Sequence, residues 1–118
     1  MIGNVLVGLI AVLHVYILIL EMFLWDKPKG LRAFGNNLEK AKLTKVMAQN
    51  QGLYNGFLAA GLFWALCASE VMALPLANFF LSCIFIAGIY GGMTASKKII
   101  FIQSIPAVLA LLTINLGY

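Results

Sequence analysis

Charged side chains are scarce in this sequence. Only 10% of its 118 residues are Asp, Glu, Lys or Arg, whereas a soluble domain usually carries about 25%. A soluble domain of this length could not cover its surface with so few polar side chains, which excludes an ordinary soluble fold. Lipid must therefore be the solvent for much of the exterior. We expect one compact domain, residues 1–118.

Residues that usually hold metals are also few. The single histidine, His14, cannot build the usual zinc site. The two cysteines, Cys67 and Cys83, lie in apolar segments at what should be different depths, which argues against a disulfide and predicts buried free thiols. The sequence has no Gly-rich phosphate loop and no nucleophile beside a base. We expect no metal and leave any cofactor open, so chemistry would fall to acids, bases and amides.

Long apolar runs are what the sequence has instead. Crossing the hydrocarbon core takes about 20 apolar residues in a helix. Four segments qualify, at about residues 2–25, 46–68, 75–94 and 99–117. The first lacks a positive n-region and a cleavage site, so we interpret it as a retained helix. Pro75 suits the first turn of the third predicted helix, where its missing N–H costs nothing.

The first connection, residues 26–45, is the longest break between the apolar runs. Turn residues mark its first half, and Asn37 is a plausible N-cap. No breaker follows between Leu38 and Gln51. We therefore expect the second helix to begin in water and to enter the membrane near Val46.

All basic side chains lie in two of the three connections. Lys97 and Lys98 are in the third connection, and the other six are in the first: Lys27, Lys29, Arg32, Lys40, Lys42 and Lys45. These connections share one side of a four-helix topology, which the positive-inside rule makes cytoplasmic. The prediction is an all-α, multi-pass, four-helix bundle of the bacterial inner membrane with both termini outside the cytoplasm. Anionic lipid headgroups attract such lysines, so the net charge of +4 needs no nucleic acid partner.

A few polar side chains interrupt the apolar helices, where they are costly and usually face other protein. His14 and Glu21 are close to two turns apart on one face of the first helix. For His14 we favour an interhelical hydrogen bond. Glu21 is either a proton-carrying or cation-binding carboxylate, or a hydrogen-bonded tie between helices.

The second helix opens with the densest polar cluster in the chain. Its members are Gln49, Asn50, Gln51, Tyr54 and Asn55. Facing lipid would be costly, so we expect them to point at other helices or at a cytoplasm-facing cavity, with Glu21 as a neighbour. They could be internal glue, or they could orient a small polar ligand by several hydrogen bonds.

Small residues spaced four apart predict close helix packing. One ridge comprises Gly52, Gly56 and Ala60; another comprises Ala87, Gly91 and Ala95, with Gly88, Gly92 and Ser96 beside it. We expect helices 2 and 3 to pack tightly along these ridges. In the fourth helix, Pro106 should free the carbonyl of Ile102 and bend the helix, with Gln103 or Ser104 near enough to satisfy that carbonyl.

Three motifs resemble a family of small bacterial membrane proteins classified only as a domain of unknown function. They are residues 21–25 (EMFLW), 49–61 (QNQGLYNGFLAAG) and 87–91 (AGIYG). The resemblance covers nearly the whole chain. It implies four membrane helices and supplies no activity.

A weaker similarity is to the membrane-associated eicosanoid and glutathione metabolism proteins, four-helix trimers whose glutathione site opens to the cytosol. Their second helix carries a basic residue and an Ala-His-x-Asn-x-x-Glu-Asn-like motif. Lys45, Ala48 and Gln49 fall on that pattern, followed by Gln51, Tyr54 and Asn55, and only Ala48 and Asn55 match the motif by identity. The resemblance implies a similar topology and site position, and it is consistent with a homo-oligomer.

Three functions remain open from the sequence. The first is an accessory membrane protein whose polar site, built from Glu21, Gln51, Tyr54 and Asn55, binds a small ligand or lipid. The second is a glutathione-transferase-like enzyme, with glutathione as its cosubstrate. The third is a small proton-coupled transporter in which Glu21 exchanges a proton for a cation. This chain is similar in size to the small multidrug exporters, but its charge bias and its motifs differ from theirs.

Overall fold

A computed structural model describes residues 1–118, which form five α-helices and no strands. The helices are α1 (Ile2–Met22), α2 (Pro28–Phe34), α3 (Leu38–Cys67), α4 (Glu70–Thr94) and α5 (Ile105–Asn115), with a π-helical segment (Ile100–Ser104) leading into α5. The all-α prediction is confirmed. Two helices, α1 and α4, are long and apolar enough to cross a membrane, and Ile100–Asn115 is a shorter apolar helix.

The first connection contains a short helix of its own. Pro28 occupies the first turn of α2, where its fixed φ suits a helix start, and Gly35 ends the helix with a left-handed φ of 59°. Asn37 then accepts a hydrogen bond from the backbone N–H of Lys40 at 2.8 Å. The predicted N-cap is confirmed, and α3 begins at Leu38.

Pro75 lies at a different position in its helix from the predicted one. Helix α4 begins at Glu70, so Pro75 lies inside the helix and its predicted place in the first turn is wrong. The helix starts earlier because Ser69 already has the extended backbone of an N-cap, and its carbonyl accepts the N–H groups of Met72 and Ala73. Before Pro106 the backbone widens into the π-helical segment.

The chain divides into two compact units, and the first is discontinuous in sequence. This discontinuous unit comprises Met1–Ala11 and Ala60–Tyr118. Leu62, Leu81 and Ile84 are fully buried in it. A cavity of about 320 Å³ also lies in this unit, and polar Asn4, Glu70 and Tyr118 are among its lining residues.

The second ridge of small residues packs against the π-helical segment. A Cβ on Gly88 would lie 2.8 Å from the backbone nitrogen of Ser104, and one on Gly91 would lie 3.1 Å from Ile99. Gly92 contacts Ile100. Ser104 donates its hydroxyl to the carbonyl of Phe85 at 2.9 Å, so it ties the segment to α4.

The second unit, Val12–Ala59, is contiguous in sequence and holds the end of α1, all of α2 and the start of α3. Here Gly52 and Gly56 lie against α1: their added Cβ atoms would meet Met22 and Leu18, each at 2.6 Å. The predicted packing of this ridge on the third membrane helix is therefore wrong. Four-spaced glycines form a groove for any close helix and do not select which one enters it.

Two other small residues of the ridges and both cysteines are exposed or half-buried. Ala60 and Ala87 are exposed. Cys67 is exposed and Cys83 half-buried, and both are free thiols. The prediction that no disulfide forms is confirmed, whereas the prediction that both thiols are buried is wrong.

Candidate polar site around Glu21 and Asn55

The contiguous unit brings together two polar side chains that are 34 residues apart in sequence. Asn55 donates from Nδ2 to Glu21 Oε1 at 2.6 Å, and Nδ2 also reaches the backbone carbonyl of Gln51 at 3.1 Å. Glu21 is 7% exposed and Asn55 6%. A buried carboxyl-amide bond therefore links the last turn of α1 to α3.

Gly52 allows α1 and α3 to come close enough for Glu21 to contact Asn55. A Cβ at this position would lie 3.1 Å from the Cβ of Glu21 and 3.2 Å from the backbone oxygen of Leu18. Any larger residue would hold the two helices further apart. The glycine that the sequence marks as a packing residue thus also sets the distance between Glu21 and Asn55.

His14 is fully buried in the same unit. It precedes Glu21 by close to two helical turns on the same face of α1, as the spacing predicts. Its role as an interhelical hydrogen-bonding group stays a prediction.

Most of the predicted polar cluster does not join this pair. Asn50, Gln51 and Tyr54 are exposed, and Gln49 is half-buried. The expectation that these side chains all face neighbouring helices or a cavity is wrong for the exposed three within one chain. Successive helical residues are about 100° apart, so residues 49–51 cannot share one face.

Two further side-chain contacts lie at the end of the contiguous unit nearest Glu21. The sequence did not reveal either of them. Trp25 donates from Nε1 to the Thr44 hydroxyl at 3.0 Å. One residue further along each segment, Lys45 Nζ on α3 lies 3.1 Å from Oδ2 of Asp26, which is in the turn after α1. The Lys45 hydrogen bond holds the pKa of Asp26 below its usual value. Both pairs join residues 19 apart, a separation with no local sequence signal.

Chemically, the site offers one buried carboxyl group bonded to the Asn55 amide, with the exposed Gln51 amide one turn away on α3. Such groups accept and donate hydrogen bonds and suit a small polar or cationic ligand. No group of three or more His, Cys, Asp or Glu side chains that could hold a metal ion forms.

Comparison with known proteins decides the family. The family model described as "Protein of unknown function (DUF1304)" matches residues 8–115. The chain belongs to this family. The matched part of this DUF1304 chain includes His14, Glu21 and Asn55, so the whole candidate site lies inside the family's common region. The predicted membership of a family of unknown function is confirmed.

One curated relative extends over most of the DUF1304 chain. The "Uncharacterized protein YpaA" of Lactococcus lactis subsp. lactis (strain IL1403) is 34% identical over 107 residues, covering 89% of each chain. No solved structure matches. Neither the description of the family nor the name of this relative gives an activity that could be assigned to the Glu21–Asn55 pair.

Proposed function

We propose that this DUF1304 protein is a multi-pass protein of the bacterial inner membrane whose contiguous unit carries a ligand-binding site open to the cytoplasm. The observation that carries the proposal is the buried bond between Asn55 and Glu21, beside exposed Gln51, whose backbone carbonyl also accepts from Asn55. The ligand would be a small polar molecule or a lipid headgroup with a donor or positive charge for Glu21.

Membrane insertion is supported by the apolar helices. Helix α1 and helix α4 are long enough to span. Amides at residues 49–51 shorten the apolar part of α3, and residues 100–115 form a shorter apolar helix. We propose that these two also cross, because helices packed in a bundle satisfy their polar groups on one another. All eight cations lie in residues 27–45 and 97–98, which supports a topology with these connections inside and both termini outside.

The proposed depth of the site follows from its neighbours. Trp25 and Asp26 follow Glu21 by four and five residues, in the turn after α1, and Asp26 pairs there with Lys45 of α3. An amphipathic indole and an ion pair suit the headgroup level. Glu21 would then lie just below the interface, close enough for a water-soluble ligand or a lipid headgroup to reach it.

Ligand-dependent thermal stabilisation of the purified protein tests the binding function. Glutathione, lipid headgroups and cationic drugs would be screened against wild type and a Glu21→Gln, Asn55→Ala double variant. A ligand present at a hundredfold its Kd should stabilise the protein by about 2.7 kcal/mol. Asn78→Ala is the matched control, since Asn78 is an amide in the other unit, bonded to Asn115.

The ligand class then separates the rival functions. A shift with glutathione that is lost in the double variant would favour the transferase-like enzyme, and a shift with cationic drugs would favour proton-coupled exchange at Glu21. A shift with headgroups supports lipid binding. If no ligand shifts the wild type, the pair is internal glue and the binding proposal fails.

Topology is tested separately by cysteine labelling. In a Cys67→Ala, Cys83→Ala background, Lys42→Cys and Ser69→Cys would be exposed to a membrane-impermeant maleimide. We expect residue 69 to react in right-side-out cells and residue 42 to react only in inverted vesicles. The opposite pattern would reverse the orientation, and labelling of both from one side would contradict the four-span topology.

A further inference from the structure

Helix α3 carries an exposed stripe along the part that lies in the contiguous unit. The stripe consists of Leu43, Met47, Asn50, Tyr54 and Phe57, alternately four and three residues apart. Its large apolar members are far from covered: Leu43 is 82% exposed, Met47 73%, Tyr54 58% and Phe57 55%. Asn50, at the centre, is also exposed.

The alternation of four and three is the spacing of a coiled-coil seam, in which residues a and d of each heptad face a partner helix. The buried side of α3 follows the same spacing with Ala48, Gly52, Asn55, Ala59 and Leu62. In the contiguous unit, α1 covers this inner seam at Gly52 and Asn55. Helix α3 therefore has two seams, and the outer one is open within a single chain.

The chemistry of the outer seam favours a second copy of the chain as its occupant. None of its five residues is charged, although Lys40, Lys42 and Lys45 lie nearby on the same helix. Lipid tails could cover the apolar members, but they offer no hydrogen bond to the Asn50 amide, which would have to pair with headgroups, with water or with another amide. An identical amide supplies both a donor and an acceptor, so two Asn50 side chains facing each other satisfy one another.

We propose that Leu43, Met47, Asn50, Tyr54 and Phe57 form a homotypic interface in which copies of α3 pack parallel and in register. The parallel direction rests on the proposed membrane insertion, because inserted copies share one orientation. The seam itself rests on the exposed spacing. It ends at Phe57, since the next position, Gly61, lies under the ring of Phe80. Asn50 fixes the register, as a single polar residue does in a coiled-coil seam.

Disulfide cross-linking in native membranes tests the interface. Single cysteines would replace each seam residue in the Cys67→Ala, Cys83→Ala background. Leu53→Cys is the comparison variant, because Leu53 is 42% exposed and flanks the seam, about 80° around the helix from its centre line. We expect cross-linked dimers at the seam positions and several-fold less at residue 53. Equal yield at residue 53, or no cross-linking at any seam position, would overturn the proposal.

A charge at the centre provides a second test. In the Met47→Cys background, Asn50→Asp places like charges opposite each other and should reduce the cross-linking yield several-fold. Asn78→Asp, in the other unit, should leave the yield unchanged. An unchanged yield with Asn50→Asp would overturn the proposed register. The maleimide labelling is scored independently, so seam cross-links with a contradictory topology would refute only the membrane arrangement.

Discussion

Asn55 is the residue on which the candidate site depends, because its one amide nitrogen serves both Glu21 and the carbonyl of Gln51. Replacing Asn55 by Ala removes the donor and leaves a buried carboxyl group without this hydrogen bond. We expect Asn55→Ala to lower the free energy of unfolding by about 1–3 kcal/mol. Equilibrium unfolding in mild detergent measures the loss.

The matched control for this substitution is Gln51→Ala. The Gln51 side chain is exposed, and alanine keeps the backbone carbonyl that accepts from Asn55. Its effect should stay within about 0.5 kcal/mol, as for most surface substitutions. A loss as large as that of Asn55→Ala would show that the two side chains matter as a group.

The stability of the contiguous unit should depend on pH through Asp26. Its hydrogen bond from Lys45 lowers its folded-state pKa below the ordinary 3.8, so this contribution to stability is present above about pH 4. It is lost as the pH falls through the lowered pKa. We expect wild type to be slightly more stable than Asp26→Asn at neutral pH. The difference should vanish on acidification when both are unfolded in parallel across the pH range.

Lys45→Met is the partner variant for that comparison. Removing the lysine takes away the cause of the lowered pKa, so Lys45→Met should also lose the small advantage at neutral pH. A difference between wild type and Asp26→Asn that persists unchanged in acid would contradict the assignment of the effect to ionised Asp26.

At the scale of helices, the approach of α1 to α3 depends on Gly52 more than on Gly56. A Cβ on Gly52 would be squeezed between the Met22 side chain and the backbone oxygen of Leu18, 3.2 Å away. A Cβ on Gly56 would meet only the end of the Leu18 side chain, at 2.6 Å, which can rotate away. Gly52→Ala should therefore cost about 1–3 kcal/mol, and Gly56→Ala less.

The two alanine variants would be compared by unfolding and by ligand response. If Gly52→Ala also abolishes ligand stabilisation while Gly56→Ala retains it, the helix spacing is what positions Glu21. Equal cost for both substitutions would mean that the Leu18 backbone yields as readily as its side chain.

How far the sequence predicted these elements depended on the range of the interactions involved. Asn37 was recognised as an N-cap because its partner, Lys40, is three residues away. Glu21 and Asn55 were expected to be neighbours from their depth alone. The partner of the glycine ridge and the exposure of Gln51 and Tyr54 were missed. Both depend on which helix covers which side of α3, and a helical pattern does not contain that information.

For the whole molecule, the distribution of charge predicts a preference for anionic lipid. Lysines near the surface interact with anionic headgroups by about 1 kcal/mol each, and salt screens this attraction. We expect a higher Tm in nanodiscs with anionic lipid than in zwitterionic ones. The difference should shrink when the ionic strength is raised. An identical Tm in both lipids at low salt would count against the proposed placement of the basic connections.

The division into units also sets an order of events during synthesis. The contiguous unit, residues 12–59, has all its parts before residue 60 is translated. The discontinuous unit cannot be completed until the C-terminal residues have been made, because the Gly3 N–H donates to the Tyr118 carbonyl and Asn78 bonds to Asn115. The Glu21–Asn55 pair can therefore form on a nascent chain while the first turns of α1 still await partners that the ribosome has not yet made.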